Sequence, residues 1–289
     1  MPELNFLYEL IPALLPFESM QMRFMQQALV GLLLLSPMVA LMGVQVVNFR
    51  MAFFADAISH STFTGIALGL ILSVSPYWAM PAFGLFVGLA IVAAQRRSAL
   101  SSDTVIGVFF SGVVAFGLAV VSREDNVARD IQRFLYGDIL TISEGDILAM
   151  TLLLVALTIF QIYGYNRMLY IGLNPVVAKV HRVRVAPYQY IYAGLLSLVV
   201  IFSVWALGVL LVTAMLIVPA AAARNFARSA GGMVWWALLV SITSSIIGLL
   251  ISAQDWAHTA TGATVILVAF CWFLLSSIVA KLYHRGPFS

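Results

Sequence analysis

Apolar residues in this chain neither alternate nor form one stripe on a polar background; they run on for the length of a whole helix, separated by short charged clusters. The first such run, Phe24–Val47, contains no charged residue. At about 1.5 Å per residue it exceeds a hydrocarbon core of about 30 Å. Further runs follow at Ala57–Val74, Tyr77–Gln95, Val105–Val121, Asp146–Gly164, Tyr188–Ala206, Leu207–Pro219, Gly232–Ser252 and Ala260–Lys281. A backbone in lipid must satisfy its own hydrogen bonds and no strand-length alternation is present, so each run predicts a helix. Val185 to Ala223 is 39 residues without a formal charge, about 58 Å of helix and too long for one crossing. A turn near Ala206-Leu207-Gly208 divides it, giving an all-α polytopic membrane protein of eight to nine spans.

The longest connections, Ser122–Gly145 and Tyr165–Pro187, are too short to enclose a core. The expected organisation is one transmembrane domain over 24–282, an interfacial segment at 1–23 containing Pro12 and Pro16, and a short tail at 283–289. Glu3, Glu9 and Glu18 stand where a cleaved leader would carry basic residues.

Composition agrees with the pattern. Hydrophobic residues make up 62% of the 289 positions and charged ones 9%, against about a quarter charged in soluble domains. A soluble enzyme, a nucleic-acid binder and a disordered chain are excluded. The single Cys271 excludes a disulfide framework and a cysteine zinc site. Sorting the charges by nine alternating spans puts eleven bases on one face: Arg50, Arg96, Arg97, Arg167, Lys179, Arg182, Arg184, Arg224, Arg228, Lys281 and Arg285. Arg23, Arg123, Arg129, Arg133 and ten of the twelve carboxylates fall on the other. Basic residues mark the cytoplasmic face, so the expected N-terminus is outside and the C-terminus inside.

One carboxylate stands apart. Asp56 is followed four residues later by His60, so on a helix both project from one face, with Ser59 and Thr64 near it. A carboxylate and an imidazole are ligands for a borderline divalent cation, and two ligands make a weak site from which an ion can leave. The residues equally allow Asp56 to cap the helix and His60 to bond a neighbouring helix. Gly65 and Gly69, then Gly84 and Gly88, have the spacing of close helix packing. At Pro219-Ala-Ala-Ala-Ala-Arg the proline ends or kinks a span, and Ala220–Ser229 has the composition of a short helix exposing Arg224 and Arg228. Those two bases could dock a soluble partner or only set topology. His258, near Asp255, could attract a cation; His181 and His284 lie in a loop and at an end. No phosphate loop, metalloprotease or serine hydrolase motif is present, so ATP hydrolysis by this chain is not expected.

The stretch Asn48-Phe-Arg-Met-Ala-Phe-Phe-Ala-Asp-Ala-Ile-Ser-His-Ser resembles the signature of permeases in the zinc/manganese/iron ABC importer family. Asp103-Thr-Val-Ile-Gly-Val-Phe-Phe-Ser, Phe134-Leu-Tyr-Gly-Asp-Ile-Leu with Gly145-Asp, Leu216-Ile-Val-Pro-Ala-Ala-Ala-Ala-Arg and Thr261-Gly-Ala-Thr-Val-Ile-Leu-Val match in order, so the similarity runs from about Phe24 to Lys281. Ala55 stands where many relatives have glycine, and Asn48-Phe49 replaces a more basic pair.

The resemblance implies an ABC type II importer-like permease in a prokaryotic plasma membrane: a homodimer with two cytoplasmic ATPase subunits, fed by an extracytoplasmic metal-binding protein. The expected cargo, from the Asp/His donor pair, is Zn2+, with Mn2+ or Fe2+ as alternatives, and no permanently bound cofactor is expected. It implies that Asp56 and His60 contact the metal, that Pro219, Arg224 and Arg228 belong to the segment coupling to the ATPase, and that Phe134–Asp138 lies near the docking surface of the binding protein. Rival readings are a proton-coupled secondary carrier and a membrane scaffold subunit.

Overall fold

Arg23–Phe49 forms the first long helix, α1, of the computed structural model, which describes residues 11–12, 17–122, 139–254, 257 and 259–283. Arg50 ends α1 in the left-handed conformation (φ 55°), its N–H reaching back to the Val46 and Val47 carbonyls. After Met51 the chain enters α2, Ala52–Ile71. Helix α3, Pro76–Arg97, starts on a proline whose ring presets the first helical φ and whose missing N–H costs nothing there. Ser101 accepts the Thr104 N–H at the start of α4, Ser102–Val121. Ser143 and Asp146 form a capping box at the start of α5, Glu144–Leu173. Asn174 separates α5 from the short α6, Pro175–Val180. Then come α7, Val185–Leu207; α8, Val209–Phe226; α9, Ala230–Ser252; and α10, Thr261–Tyr283. Among the described residues there is no strand.

Eight of these helices are long and apolar enough to cross a bilayer. The remaining long one, α8, has 18 residues, about 27 Å. The turn between α7 and α8 falls at Gly208, where φ 85° and ψ 159° require glycine. That is the turn expected at Ala206-Leu207-Gly208. Successive long helices alternate in direction. One end of the bundle gathers Arg50, Arg96, Arg97, Arg167 and Arg224. The other joins Arg23 to Glu144 at 2.7 Å and the Tyr77 hydroxyl to Asp146 at 3.3 Å.

Three boundaries depart from the expected ones. Helix α2 begins at Ala52 rather than Ala57, which moves Asp56 from the helix start into its second turn. Helix α5 continues nine residues past Gly164 to Leu173, so most of the expected Tyr165–Pro187 loop is helical. Its first real obstacle is Pro175, which forces Asn174 out of the helical region (φ −163°, ψ 118°). Helix α8 passes through Pro219 and runs to Phe226, so Ala220–Ser229 is not a separate short helix. Pro219 removes one backbone bond, but four alanines follow it and favour continuation. They are packed against α1, where Ala220 and Ala223 cluster with Ala40 and Val44. The 1–23 segment, the Ser122–Gly145 connection and the 283–289 tail lie largely outside the described residues.

Helix α2 lies at the centre, packed on α3, α4, α7 and α8. Gly65 and Gly69 admit α3: a Cβ on Gly65 would stand 3.1 Å from the Met80 Cα, and one on Gly69 2.8 Å from the Ala79 Cβ. Gly84 and Gly88 in turn admit α7, through Ile201 and Ser197. Hydroxyls join α1 to α9, where Ser36 donates to Ser245 at 2.6 Å and Ser241 donates to the Ser36 carbonyl at 3.0 Å. The tightest approach is α1 on α8, where a Cβ at Gly43 would collide with the Leu216 carbonyl oxygen. Gly43→Ala should therefore lower the thermal unfolding midpoint in detergent, at a cost of about 1–3 kcal/mol from overpacking. Gly194→Ala, which meets only the Leu85 Cδ1 at 3.5 Å, should leave it unchanged.

Candidate metal-binding site

Most of α2 is buried on every side, and Phe54, Ala55, Ala57, Ile58 and Ser59 are enclosed by its neighbours. Phe53, Asp56, His60 and Phe63 are the less buried positions over the same stretch. Their spacing of three, four and three places them in one stripe along the helix. The stripe opens between α4 and α8, and its only polar members are the carboxylate and the imidazole.

Both side chains are held from neighbouring helices. The Thr213 hydroxyl of α8 donates to Asp56 Oδ1. The His60 ring meets Phe110 of α4 edge-on, with centroids 5.2 Å apart and planes at 87°, and lies nearly parallel to Phe63 at 6.3 Å. Aromatic rings thus orient the imidazole without engaging its nitrogens, which have no hydrogen-bond partner among the described residues. The helix cap belongs to Met51 and uses no side chain, so Asp56 is not a capping residue. Among the described residues His60 makes no hydrogen bond to a neighbouring helix.

Ser59 and Thr64 do not join the pair. Ser59 donates to the Asp56 carbonyl at 3.0 Å and Thr64 to the Val113 carbonyl at 3.1 Å, and both are fully buried. Thr213 is the residue that sequence reasoning missed. It is the only polar side chain between Val209 and Pro219, and a lone hydroxyl in an apolar span implies a partner. Among the described residues no three His, Cys, Asp or Glu side chains gather in one place. Asp56 and His60 are thus a group of two, half the number of ligands in a tetrahedral set.

The expected coupling residues separate. Pro219 is buried within α8, whereas Arg224 in its last turn and Arg228 just beyond are exposed. Asn225 fastens this end to α10 by donating to Ser276 at 3.0 Å and Ser277 at 3.1 Å, and Phe226 stacks on Trp236 at 4.6 Å. Arg224 is eleven residues from Thr213, about 16 Å along the axis and within about 20° of the same face. His181 stacks on Tyr170 at 5.2 Å, away from the pair. Asp255, His258, His284 and Phe134–Asp138 lie outside the described residues.

The sequence model of the ABC 3 transport family matches residues 21–280. The chain belongs to this family. It is similar to the high-affinity zinc uptake system membrane protein ZnuB of Haemophilus influenzae, with 34% identity over 249 residues, 86% of this chain and 95% of that protein. It is also similar to the manganese import system permease protein ScaB of Streptococcus parasanguinis, with 30% identity over 271 residues, 92% and 94% of the two chains. Among solved structures, PsaBC from Streptococcus pneumoniae in complex with Fab superposes with a TM-score of 0.75 at 28% identity, covering 93% of this chain and 94% of that one. The all-α fold is thus that of an ABC permease.

Within this family member the Thr213 hydrogen bond has a measurable weight. Thr213→Val keeps the shape and leaves Asp56 without its donor. Thermal unfolding should report a loss of about 1.5–3 kcal/mol, the scale of a hydrogen bond to a charged group. Thr213→Ser should restore most of it.

Proposed function

We propose that this chain is the membrane permease subunit of an ABC importer that carries a divalent transition-metal cation, zinc, into the cytoplasm. ATP hydrolysis takes place on separate ATPase subunits, and an extracytoplasmic metal-binding protein supplies the ion. The observation that carries this reading is the stripe on α2, where Asp56 and His60 stand one turn apart on an otherwise apolar open face. A carboxylate facing lipid is costly, so the stripe faces a second copy of the chain. Two such pairs across a homodimer axis provide two carboxylates and two imidazoles, a four-ligand set that fits tetrahedral zinc better than a metal requiring six oxygens. Names of similar proteins include both zinc and manganese uptake, and the donor chemistry puts zinc first.

The roles follow from the chemistry. Asp56 offsets the charge of the dehydrating ion, and His60 biases the path toward borderline metals over magnesium or calcium. Thr213 keeps the carboxylate aimed along the stripe. Arg224 and Arg228, at the exposed end of α8, meet the ATPase, and α8 links that contact to Thr213. The basic end of the bundle is cytoplasmic by the distribution of Lys and Arg. That puts the N-terminus outside and the C-terminus inside in a prokaryotic plasma membrane, with one transmembrane domain over 24–282.

Radiolabelled zinc uptake by cells expressing Asp56→Ala or His60→Ala should fall to background while the protein stays in the membrane at normal abundance. Near-normal uptake by both variants would overturn the site. At the other end of α8, Arg224→Glu with Arg228→Glu should abolish co-purification with the ATPase subunit and leave the unfolding midpoint of the isolated chain unchanged.

A further inference from the structure

The seam between α1 and α5 holds polar groups that the metal pair does not use. The two helices run side by side in the same direction. Arg23 pairs with Glu144 at one end, and Gln161 donates to the Leu41 carbonyl at 3.3 Å, eighteen residues further along α1 and seventeen along α5. Beyond that bond the helices meet again at Gly172, where a Cβ would stand 3.1 Å from the Phe49 Cε1. Gln45 is one turn from Leu41 and one turn from Phe49, so it falls between these two contacts. On α5 the residues facing that interval are Tyr165 and Met168, which fill the stretch from Gln161 to Gly172 at spacings of four, three and four.

Gln45 is 1% exposed and Gln161 9%. Neither the amide nitrogen nor the amide oxygen of Gln45 has a hydrogen-bond partner among the described residues. The same holds for Gln161 Oε1 and the Tyr165 hydroxyl, and all four atoms are shut off from solvent. A buried amide left unpaired is costly, and inside a membrane bundle its surroundings offer no replacement. The far side of α5, where Leu152 and Ile162 are exposed, is apolar. The four atoms are chemically complementary, since the Tyr165 O–H and the Gln45 N–H donate and the two amide oxygens accept. They nevertheless stop short of hydrogen-bonding one another. Groups that match in chemistry without meeting call for a small molecule that both donates and accepts.

We propose that the α1–α5 seam binds an ordered water among Gln45, Gln161 and Tyr165. Water has two donors and two acceptors, the complement of these four atoms, and a buried water is held by two to four such partners. It donates to the two amide oxygens and accepts from the Tyr165 hydroxyl and the Gln45 amide nitrogen. A bond through water can change partners without leaving a buried group unpaired. The bridge therefore fastens α5 to α1 while letting one helix shift along the other. The site stands apart from the α2 stripe, does not depend on which metal is carried, and is read by a test that measures water rather than transport.

X-ray hydroxyl-radical footprinting of the full-length chain in detergent makes its radicals from water itself, so a fully buried side chain is labelled where bound water lies beside it. Met42 is the reporter, because it is fully buried and adjoins Gln45 on the same stripe of α1, toward which the Gln45 side chain leans. Met80 and Met150, buried to the same degree elsewhere in the bundle, are the controls. Met42 should be labelled faster than either, and equal rates at all three would overturn the proposal. Gln45→Leu with Gln161→Leu replaces three of the four atoms by apolar groups of similar size. That variant should lose the excess labelling of Met42 and keep the unfolding midpoint of the wild type, since polar groups removed together leave few unpaired. Fast labelling of Met42 that persists in the variant would show bulk solvent reaching the seam and would overturn the bound water. If the variant does not fold, the comparison of the three methionines in the wild type decides the matter. A density map placing the Gln45 amide in direct hydrogen-bond contact with Gln161 or Tyr165 would also overturn it.

Discussion

Asp56 places a carboxylate within a helix of a bilayer-spanning bundle, where an unpaired carboxylate costs about 2.5–3.5 kcal/mol at the helix centre even on the mildest scale. Much of the surrounding architecture answers that cost. Helix α2 is enclosed by α3, α4, α7 and α8, and over its first three turns the stripe that carries the carboxylate and its histidine is the less buried face. Thr213 reaches across from α8 to donate to it. Phe63 and Phe110 fill the space around His60 with rings that orient without competing for its nitrogens. A charged site is tolerable because the bundle shields it on all sides but one, the side that the proposed function reserves for the ion and a second copy of the chain.

Close shielding needs backbones near one another, and here small residues rather than apolar area supply the contact. Lipid tails are as apolar as leucine, so burying leucine in a membrane bundle gains little, and helix contact depends on shape and hydroxyl bonds. Gly65 and Gly69 bring α3 onto α2, Gly84 and Gly88 bring α7 onto α3, and Gly43 lets α1 reach the Leu216 carbonyl of α8. Ser36, Ser241 and Ser245 join α1 to α9. These contacts hold α2 and α8 in the register that lets Thr213 meet Asp56.

The spans were legible in the sequence because a membrane helix must be apolar along its whole length, and the Gly208 turn because 39 uncharged residues cannot cross once. The spacing of Asp56 and His60 put both on one face of α2 by the same helical geometry. Boundaries were less legible. Hydropathy places the start of α2 after its charged residue, whereas Met51 begins it without any side-chain cap, so Asp56 lies within the helix. Hydropathy likewise stops α5 at Gly164, although nothing before Pro175 breaks a helix, and α5 projects to Leu173. The Thr213 contact was hidden for another reason. It depends on helices distant in sequence meeting at one level, which no local pattern encodes.

Pro219 shows how a local rule and tertiary packing combine to serve the proposed coupling. Read locally it ends the helix, and in the bundle it does not, because Ala220 and Ala223 pack against Ala40 and Val44 and keep α8 whole. The missing backbone bond remains as a compliant point between Thr213 on one side and Arg224 on the other. Gly43 of α1 bears on the Leu216 carbonyl just before that point. Under the proposed coupling, a push at the Arg224 end would therefore turn α8 about a contact that cannot slide far, and the displacement would reach Asp56 through one hydrogen bond. A straight, evenly bonded helix would transmit the same push as a rigid translation opposed by all its neighbours at once. In the proposed function, keeping one helix intact across a proline would thus leave Asp56 responsive to the Arg224 end of α8 while its own turn of α2 stays tightly packed.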